Sequence, residues 1–389
     1  MSITRRNFLK GASSTAFSGL VPLSLSLPVG KTLANESNEY RAMICLFLHG
    51  GNDSFNMIVP RDSNTQYTAA RPNIFLTEAE KLAIPNSESG QALAINARMP
   101  NIAEMLNQGQ GAALLNIGTL VEPTNKQNLY QVRKPNNLGA HNKQQTAWQS
   151  SWGENGYHPY GWAGLMMDIL SDYSTVSDSI SFTGNELLAG TTSKDISLSS
   201  GEIRAMDALG QSSAINNQLT SLVNAPYGSD FKRTYNQQLK DILDFQTDLQ
   251  SVLDTYPEDT SIPSSSLGKQ LRMVRSMIQA ASDLGHQRQV FFVNLGGFDN
   301  HRNQRGRHDG LLETIDLAVS AFHRSLETLS LTEQVVTFTL SDFGRTIENN
   351  SNQGTDHGWG SNQLMIGGIN LFHPNHQSNL AQLCAVGWG

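Results

Sequence analysis

Residues 41–53 have the sequence RAMICLFLHGGND, in which an apolar run over residues 41–48 stops abruptly at a polar turn containing two glycines. A run of this length, bounded by turn residues, predicts a buried β-strand. Two later segments repeat the pattern: residues 289–295 (QVFFVNL) precede Gly-Gly-Phe-Asp, and residues 334–340 (QVVTFTL) precede Ser-Asp. A fourth buried strand is predicted at residues 112–117.

Helical spacing separates these strands. Residues 99–108, 141–152 and 308–329 place apolar side chains three and four positions apart, which predicts helices. Buried strands that alternate with helices predict an α/β fold with a mostly parallel sheet and helices on both faces. The chain has 389 residues, so one large domain over residues 35–389 accommodates the pattern. Residues 185–285, rich in Gln, Leu and Ser, are interpreted as a helical insertion in that domain.

Charge and cysteine content exclude several classes of protein. The net charge is −7, but residues 1–34 hold four of the 27 basic residues and no acid. Residues 35–389 therefore contain 23 basic and 34 acidic residues, which gives them a net charge of −11. An acidic body argues against nucleic-acid binding, which depends on clustered Lys and Arg. Two cysteines, Cys45 and Cys384, do not form a disulfide framework, and no haem-attachment motif occurs.

The N-terminal segment has the features of an export signal. Arg5-Arg6 is followed by Phe-Leu-Lys, a mild apolar stretch over residues 11–29, and small residues ending at Ala34. This order predicts a twin-arginine signal peptide over residues 1–34, with the twin-arginine export machinery as partner. Five serines and two prolines make the stretch too polar to span a membrane stably. We therefore expect a periplasmic or secreted protein without a stable membrane span after processing.

Each of the three clearest strands is followed by an acid, Asp53, Asp299 or Asp342. The carboxyl ends of parallel strands meet at one crevice, where ligands bind. Three acids there would repel one another unless a cation neutralised them, which points to one divalent metal or a pair. The alternative for each acid alone is ordinary turn chemistry in a glycine-containing loop.

Histidines accompany these acids. His301 follows Asp299 by two residues, and His357 lies in the sequence Gly-Thr-Asp-His-Gly. Mixed carboxylate and imidazole ligands suit zinc, manganese or iron better than calcium, which prefers oxygen. The predicted cofactor is therefore a divalent metal, with zinc or manganese favoured.

Several motifs together resemble the domain-of-unknown-function 1501 family, across about residues 40 to 369. The family itself resembles the alkaline phosphatase and sulfatase superfamily, which implies an alkaline-phosphatase-like fold with one or two metals at the strand ends. The motifs that carry the resemblance are the twin-arginine leader, HGGNDSFN (49–56) with Val-Pro (59–60), GWAG (161–164), GFDNH (297–301), SDFGRT (341–346) and TDHGWG (355–360).

The resemblance also implies roles for these residues. Asp53 and Asp342 would hold one metal, while the other metal would be held by Asp299, His301 and His357. Asp356 is a further candidate ligand. The implied activity is hydrolysis of a phosphate or sulfate ester on an anionic small molecule or glycan.

Two residues are candidates for catalysis. His141, at the start of a predicted helix, would act as a base or contact the anion, and its alternative is a plain helix-start residue. Arg345 would clamp a phosphate or sulfate with two parallel hydrogen bonds, and its alternative is a local ion pair with Glu348.

This chain also departs from the resemblance. Ala140 stands where a serine hydroxyl is expected, Phe343 follows Asp342 where a histidine is common, and from about residue 370 the C-terminal end is atypical and interpreted as truncated. One alternative is therefore a catalytically inactive periplasmic metal-binding or assembly protein. Another is an esterase of the SGNH type, with Ser54 as nucleophile.

Overall fold

A computed structural model of the protein describes most of the chain from residue 39 to residue 368. The predicted signal peptide, Cys384 and the atypical C-terminal end lie outside the described residues. So do these internal stretches: 63–64, 88–89, 123, 126, 151–159, 172–178, 183–189, 193–194, 198–212 and 226–227.

A seven-stranded sheet forms the centre of the fold, and a three-stranded antiparallel sheet lies apart from it. The order in the large sheet is β5-β10-β9-β1-β8-β6-β7, and in the small sheet β2-β4-β3. The strands are β1 (Arg41–His49), β2 (Ile58–Pro60), β3 (Lys81–Ile84), β4 (Leu93–Asn96), β5 (Gly111–Ile117), β6 (Ser179–Ser181), β7 (Asp195–Ser197), β8 (Arg288–Gly296), β9 (Val335–Ser341) and β10 (Ser361–Gly367).

The helices described are α1 (Thr65–Ala70), α2 (Pro100–Asn107), α3 (His141–Ser150), α4 (Trp162–Leu170), α5 (Ser213–Val223), α6 (Asp230–Thr255), α7 (Ser266–Gln279) and α8 (Gln304–Glu327). None of them is long and apolar enough to cross a membrane. Helices α2, α7 and α8 contribute to the core on one face of the large sheet, and α4 covers the other face.

Strand β1 lies at the middle of the sheet and is buried on both faces. Ile44 and Leu46 face the core shared with α7 and α8, whereas Cys45 and Phe47 face the core shared with α4. Burial of both alternating sets explains why the strand is a continuous apolar run. The five strands from β9 to β7 are parallel, so the predicted α/β class with a mostly parallel sheet is confirmed.

The edge of the sheet beyond β9 differs from the prediction. Strand β10, which the sequence pattern did not reveal because it begins with Ser-Asn-Gln, lies antiparallel between β9 and β5. Strand β5 was predicted to be buried, but it is the edge strand, and most of its side chains are only half-buried.

Helix α7 falls within the predicted insertion at residues 185–285, but it belongs to the central core. Its residues Leu267, Leu271 and Val274 are fully buried, and the helix packs against β8 and α8. Helices α5 and α6 have the helical structure expected there.

The three strands followed by acids end at the same level. Leu48 of β1 pairs with Leu295 of β8 on one side and with Ser341 of β9 on the other. The turns that follow these strands therefore meet at one edge of the sheet, as expected for parallel neighbours.

Burial of His323 on α8 makes a pH effect on stability predictable. Its Nε2 atom lies 2.9 Å from the Thr337 hydroxyl, and burial lowers its pKa to about 3. The unfolded chain, with an ordinary histidine pKa of about 6.5, binds the extra proton between these values. Stability should therefore fall as pH decreases from about 6.5, by up to about 1.4 kcal/mol per pH unit from this group.

Urea unfolding of His323→Gln should be less steeply pH-dependent than that of the wild type between pH 4 and 6.5. Between pH 7 and 8 the two stability curves should run parallel, because the group is neutral in both states there. Equal slopes at low pH would contradict this origin of the effect.

Candidate metal centre

The turns after β1 and β8 approach each other closely, and glycine permits it. Gly50 has φ +114°, and a Cβ atom there would lie 2.4 Å from the backbone nitrogen of Asp299. A side chain at this position would therefore be excluded by both backbone conformation and space. The glycines after β1 bring its turn against the Asp299 turn.

Asp53 is buried in an ion pair. The Arg71 guanidinium donates to its two carboxylate oxygens at 2.6 and 2.8 Å, and the Gln304 amide donates to one of them. Burial raises the pKa of Asp53, but the charge and hydrogen bonds of Arg71 outweigh burial, so the net shift is downward. The carboxylate predicted to bind a metal thus has protein donors on both oxygens.

Arg71 was not found by sequence reasoning. It follows helix α1, eighteen positions after Asp53, and also donates to the carbonyl of Thr346 at 2.8 Å. No local motif marks such a contact, because it depends on how the chain between β1 and α1 folds back.

Asp342 is also buried and is surrounded by hydrogen-bond donors. Its Oδ2 accepts from the backbone N–H of Gly50 at 3.0 Å and lies 2.5 Å from Nδ1 of His141. Its Oδ1 accepts from the Gln145 amide at 3.2 Å. The structure therefore places Asp342 behind His141.

One face of α3 makes these contacts. His141 and Gln145 reach the Asp342 carboxylate, and the Trp148 indole donates to the Asp342 carbonyl at 3.3 Å. Their spacing of four and three residues is that of one helical face. This His-x3-Gln-x2-Trp spacing is the sequence signal that could have revealed the contact.

Asp299, His301 and His357 come together at the open side of the sheet edge. Nε2 of His301 lies 3.0 Å from Oδ1 of Asp299 and 3.0 Å from Nε2 of His357, which is 3.4 Å from the same Oδ1. The Asp299 side chain is 49% exposed. His141, Asp299 and His357 also offer atoms that all lie within 4.8 Å of one another.

The other ring nitrogen of each histidine faces an oxygen that can only accept. Nδ1 of His141 faces Asp342, Nδ1 of His301 lies 3.0 Å from an Asp356 oxygen, and Nδ1 of His357 lies 2.7 Å from the Gly139 carbonyl. Each neutral ring must therefore carry its proton on Nδ1. All three Nε2 atoms are left with lone pairs.

The Nε2 lone pairs of His301 and His357 face each other at 3.0 Å, and a cation between them would remove their repulsion. A guanidinium nitrogen of Arg345 also lies 3.4 Å from Nε2 of His301. Nε2 of His141 is buried, has no hydrogen-bond partner among the described residues, and lies 3.7 Å from Oδ2 of Asp299. Zinc bonded at about 2.0–2.1 Å in tetrahedral geometry needs ligand atoms about 3.3 Å apart. The donor set and its spacing fit zinc, and the ligand types also suit manganese or iron.

Asp356 supports this group from outside. Its Oδ1 accepts from the Asn350 amide at 3.1 Å and bonds Nδ1 of His301. The hydrogen bond from His301 lowers the pKa of Asp356, with a further contribution from Asn350. A carboxylate behind a ligating histidine is the usual arrangement at metal sites. This contact places Asp356 beside His301 rather than among the converging Nε2 atoms.

Arg345 does not have the geometry of an anion clamp. Its side chain has no exposed surface, and its donors are used by the Asp299 carboxylate at 2.5 Å and by backbone carbonyls in three turns. These carbonyls belong to Gly50, Gly51, Phe298 and Thr355, at 2.6–3.1 Å. Arg345 therefore forms neither the predicted anion clamp nor the local ion pair with Glu348. These contacts hold Asp299 in a fixed position. Partial burial raises the pKa of Asp299, but the hydrogen bond and charge of Arg345 outweigh burial, so the net shift is downward.

Comparison with known proteins identifies the family. Residues 40–369 match the family model described as "Protein of unknown function (DUF1501)". The chain belongs to this family. The resemblance inferred from the motifs is therefore confirmed. Among curated proteins, none matches the sequence.

Several solved structures follow a similar chain path at low identity. The lipoteichoic acid synthase LtaP from Listeria monocytogenes has 8% identity and a TM-score of 0.36, over 85% of this chain and 66%, just under two thirds, of that chain. The C-terminal periplasmic domain of EcEptC from Escherichia coli, in complex with Zn, has 9% identity and a TM-score of 0.34 over 87% and 77%. A protein in the alkaline phosphatase superfamily from Vibrio parahaemolyticus has 9% identity and a TM-score of 0.35, over 90% of this chain and 67% of that chain.

Ser54 and Phe343 complete the surroundings of the centre. Ser54 is fully buried, and its hydroxyl accepts from the backbone N–H of Asn362 at 2.8 Å, a poor position for a nucleophile. The Phe343 ring packs against His141 and His357, with centroids 4.7 and 4.5 Å apart. Ala140, directly before His141, has no side-chain nucleophile to offer.

Proposed function

We propose that this DUF1501 protein is an exported, metal-dependent hydrolase of phosphate or sulfate esters. One observation carries the proposal: three histidine Nε2 lone pairs converge on the half-exposed carboxylate of Asp299, each orientated by an acceptor behind Nδ1. This is the donor arrangement that proteins use to hold a transition metal.

Solvent access supports a reactive centre over a purely structural one. The side chains of Asp299 and His301 are 49% and 40% exposed, whereas structural metal sites are closed. Catalytic zinc sites typically have three protein ligands and one open position.

In the proposed centre the metal ligands are Asp299, His301 and His357. Their three nearest donor atoms are mutually 3.0–3.4 Å apart. His141 lies slightly farther away, with Nε2 3.7 Å from the other oxygen of Asp299. We place His141 beside the open coordination position and outside the ligand set, where its Nε2 would face the water and the substrate.

A divalent cation held there would supply Lewis-acid polarisation of the ester and lower the pKa of water. His141 would act as general base, with Nε2 accepting the proton of the attacking water. Asp342 would hold Nδ1–H of His141 and stabilise the imidazolium that results, as the carboxylate does in a catalytic triad. Direct attack by water is compatible with Ala140 in place of a serine nucleophile, because no covalent intermediate is then needed.

The wider features of the proposal follow from the sequence. We propose zinc or manganese as the metal, an anionic small-molecule or glycan ester as substrate, and periplasmic or secreted location through the twin-arginine machinery.

Removal of the His141 imidazole tests the proposed base. We expect His141→Ala to lower kcat on an aryl phosphate or aryl sulfate by roughly 100-fold or more, the usual contribution of a general base. Zinc content should remain at the wild-type level, because His141 is not a ligand in this assignment. The measurement is steady-state kinetics on metal-loaded protein, with zinc per chain determined on the same sample.

The alternatives give different results. Loss of zinc from His141→Ala would make His141 a ligand, and unchanged kcat would remove it from catalysis. Lys143→Ala, on the same helix but with an exposed side chain, serves as the matched control.

A catalytically inactive metal-binding protein is the second candidate. It is favoured by the complete occupation of Arg345, which leaves the predicted anion clamp without free donors, and by Ala140. Bound zinc with no turnover on phosphate and sulfate esters would support this candidate over the hydrolase.

A further inference from the structure

The three acids at the strand ends have different partners within the chain. Asp53 is paired with Arg71, Asp342 accepts hydrogen bonds from Gly50, Gln145 and His141, and Asp299 is paired with Arg345 beside the histidines. The sequence suggested one metal or two for these acids. Two of the charges are instead balanced by guanidinium groups of the chain itself.

The Arg71 guanidinium occupies the place where an ion at Asp53 would have to sit. It covers both oxygens of the carboxylate, and the Gln304 amide takes a further acceptor position. Arg71 and Asp53 have side chains that are 0% and 2% exposed, so water does not compete for the pair. A divalent ion there would have to displace a buried cation.

The charged groups around Arg71 and Arg345 keep a net negative charge. The hydrogen-bonded cluster connects the Arg71 and Arg345 sides through Gln304 and Thr355. Four carboxylates and two guanidiniums carry a net charge of −2, so the cluster favours a cation at its exposed side, where Asp299 and Asp356 lie. The charged groups counted, histidines apart, are Asp53, Asp299, Asp342, Asp356, Arg71 and Arg345.

Phe343 closes the space beside the histidines. Its ring is buried against His141 and His357, and a Cβ atom on Gly51 would lie 2.6 Å from the ring. An apolar ring offers no ligand to a second ion, and nothing polar on it would replace the ion's water.

We propose that the protein holds a single divalent cation, on Asp299, His301 and His357, and that the Arg71 guanidinium takes the place of a second cation at Asp53. This inference rests on the metal centre of the proposed function. Arg71 is then the residue that sets the number of ions, and Asp53 is not a metal ligand.

The test is the metal stoichiometry of the full chain. Purified protein is stripped with a chelator, loaded with excess zinc, desalted, and analysed by elemental mass spectrometry and native mass spectrometry. We expect one zinc per chain. Two per chain would overturn the inference and leave the proposed metal centre intact, whereas none would overturn both.

A variant lacking the ion pair supplies the second measurement. In Asp53→Asn/Arg71→Met both partners are neutral, so no unpaired charge remains buried. We expect its zinc Kd to stay within about threefold of the wild type, below the 10–100-fold effect of removing a group that orientates a ligand. Asp299→Asn is the matched carboxylate change and should weaken zinc binding by roughly 100-fold or more. A comparable loss in the double variant would make Asp53 a ligand and overturn the inference.

Discussion

His357→Ala is expected to weaken zinc binding strongly. Nε2 of His357 lies 3.0 Å from Nε2 of His301 and 3.4 Å from Asp299, so it provides one corner of the proposed centre. Two protein ligands would remain on an exposed surface, and we expect affinity to fall by roughly 100-fold or more. Zinc competition with a chromophoric chelator measures the change, and ester hydrolysis should be lost in parallel.

A histidine away from the centre provides the control. His286 lies on the loop between α7 and β8, and His286→Ala should bind one zinc with wild-type affinity. Circular dichroism of His357→Ala should show the wild-type fold, because the ring is partly exposed at the sheet edge. Unchanged zinc affinity in His357→Ala would contradict the proposed ligand set.

Replacement of Arg345 with methionine is expected to cost about 3–5 kcal/mol of unfolding free energy. The loss comes mainly from carbonyl groups of Gly50, Gly51, Phe298 and Thr355, which would lose their buried donor. The ion pair with Asp299 contributes less, because that carboxylate is half exposed and screened by solvent. We also expect zinc affinity to fall 10–100-fold, since Asp299 would lose the group that orientates it.

Urea unfolding of metal-free protein separates the two effects of this change. Arg98→Met, in which an exposed arginine is replaced, should alter stability by no more than about 0.5 kcal/mol. If Arg345→Met lost less than about 1 kcal/mol, the guanidinium would not be the connection between the turns that its contacts suggest.

The local parts of the fold were predictable because each depends on neighbouring residues. The strands predicted at 41–48, 289–295 and 334–340 are confirmed to within one residue at each end. Helix α8 begins at Gln304, four residues before the predicted start, because its polar first turn faces the buried Asp53 network and not the apolar core. Strand β10 escaped prediction because its first residues are polar.

For the site, the sequence predicted which types of residue take part and at which edge of the sheet they lie. Alignment of strand ends brings Asp299, His301, His357 and Asp342 to one edge of the sheet, but their role as ligands stays a prediction. Sequence spacing did not indicate that Arg71 would pair with Asp53 or that Arg345 would donate its hydrogen bonds to backbone carbonyls. These contacts join segments up to 295 positions apart, and no local pattern records them.

Periodicity and short motifs are local properties of the chain, and they were sufficient to predict the family, the α/β class and the set of acids and histidines at the strand ends. The partner that each acid meets depends on the tertiary structure. Ion pairing depends on distances of a few Å between distant turns, so the same three aspartates could have shared two metals. In the folded chain, Asp53 meets Arg71, Asp342 supports His141, and Asp299 remains beside the open histidines.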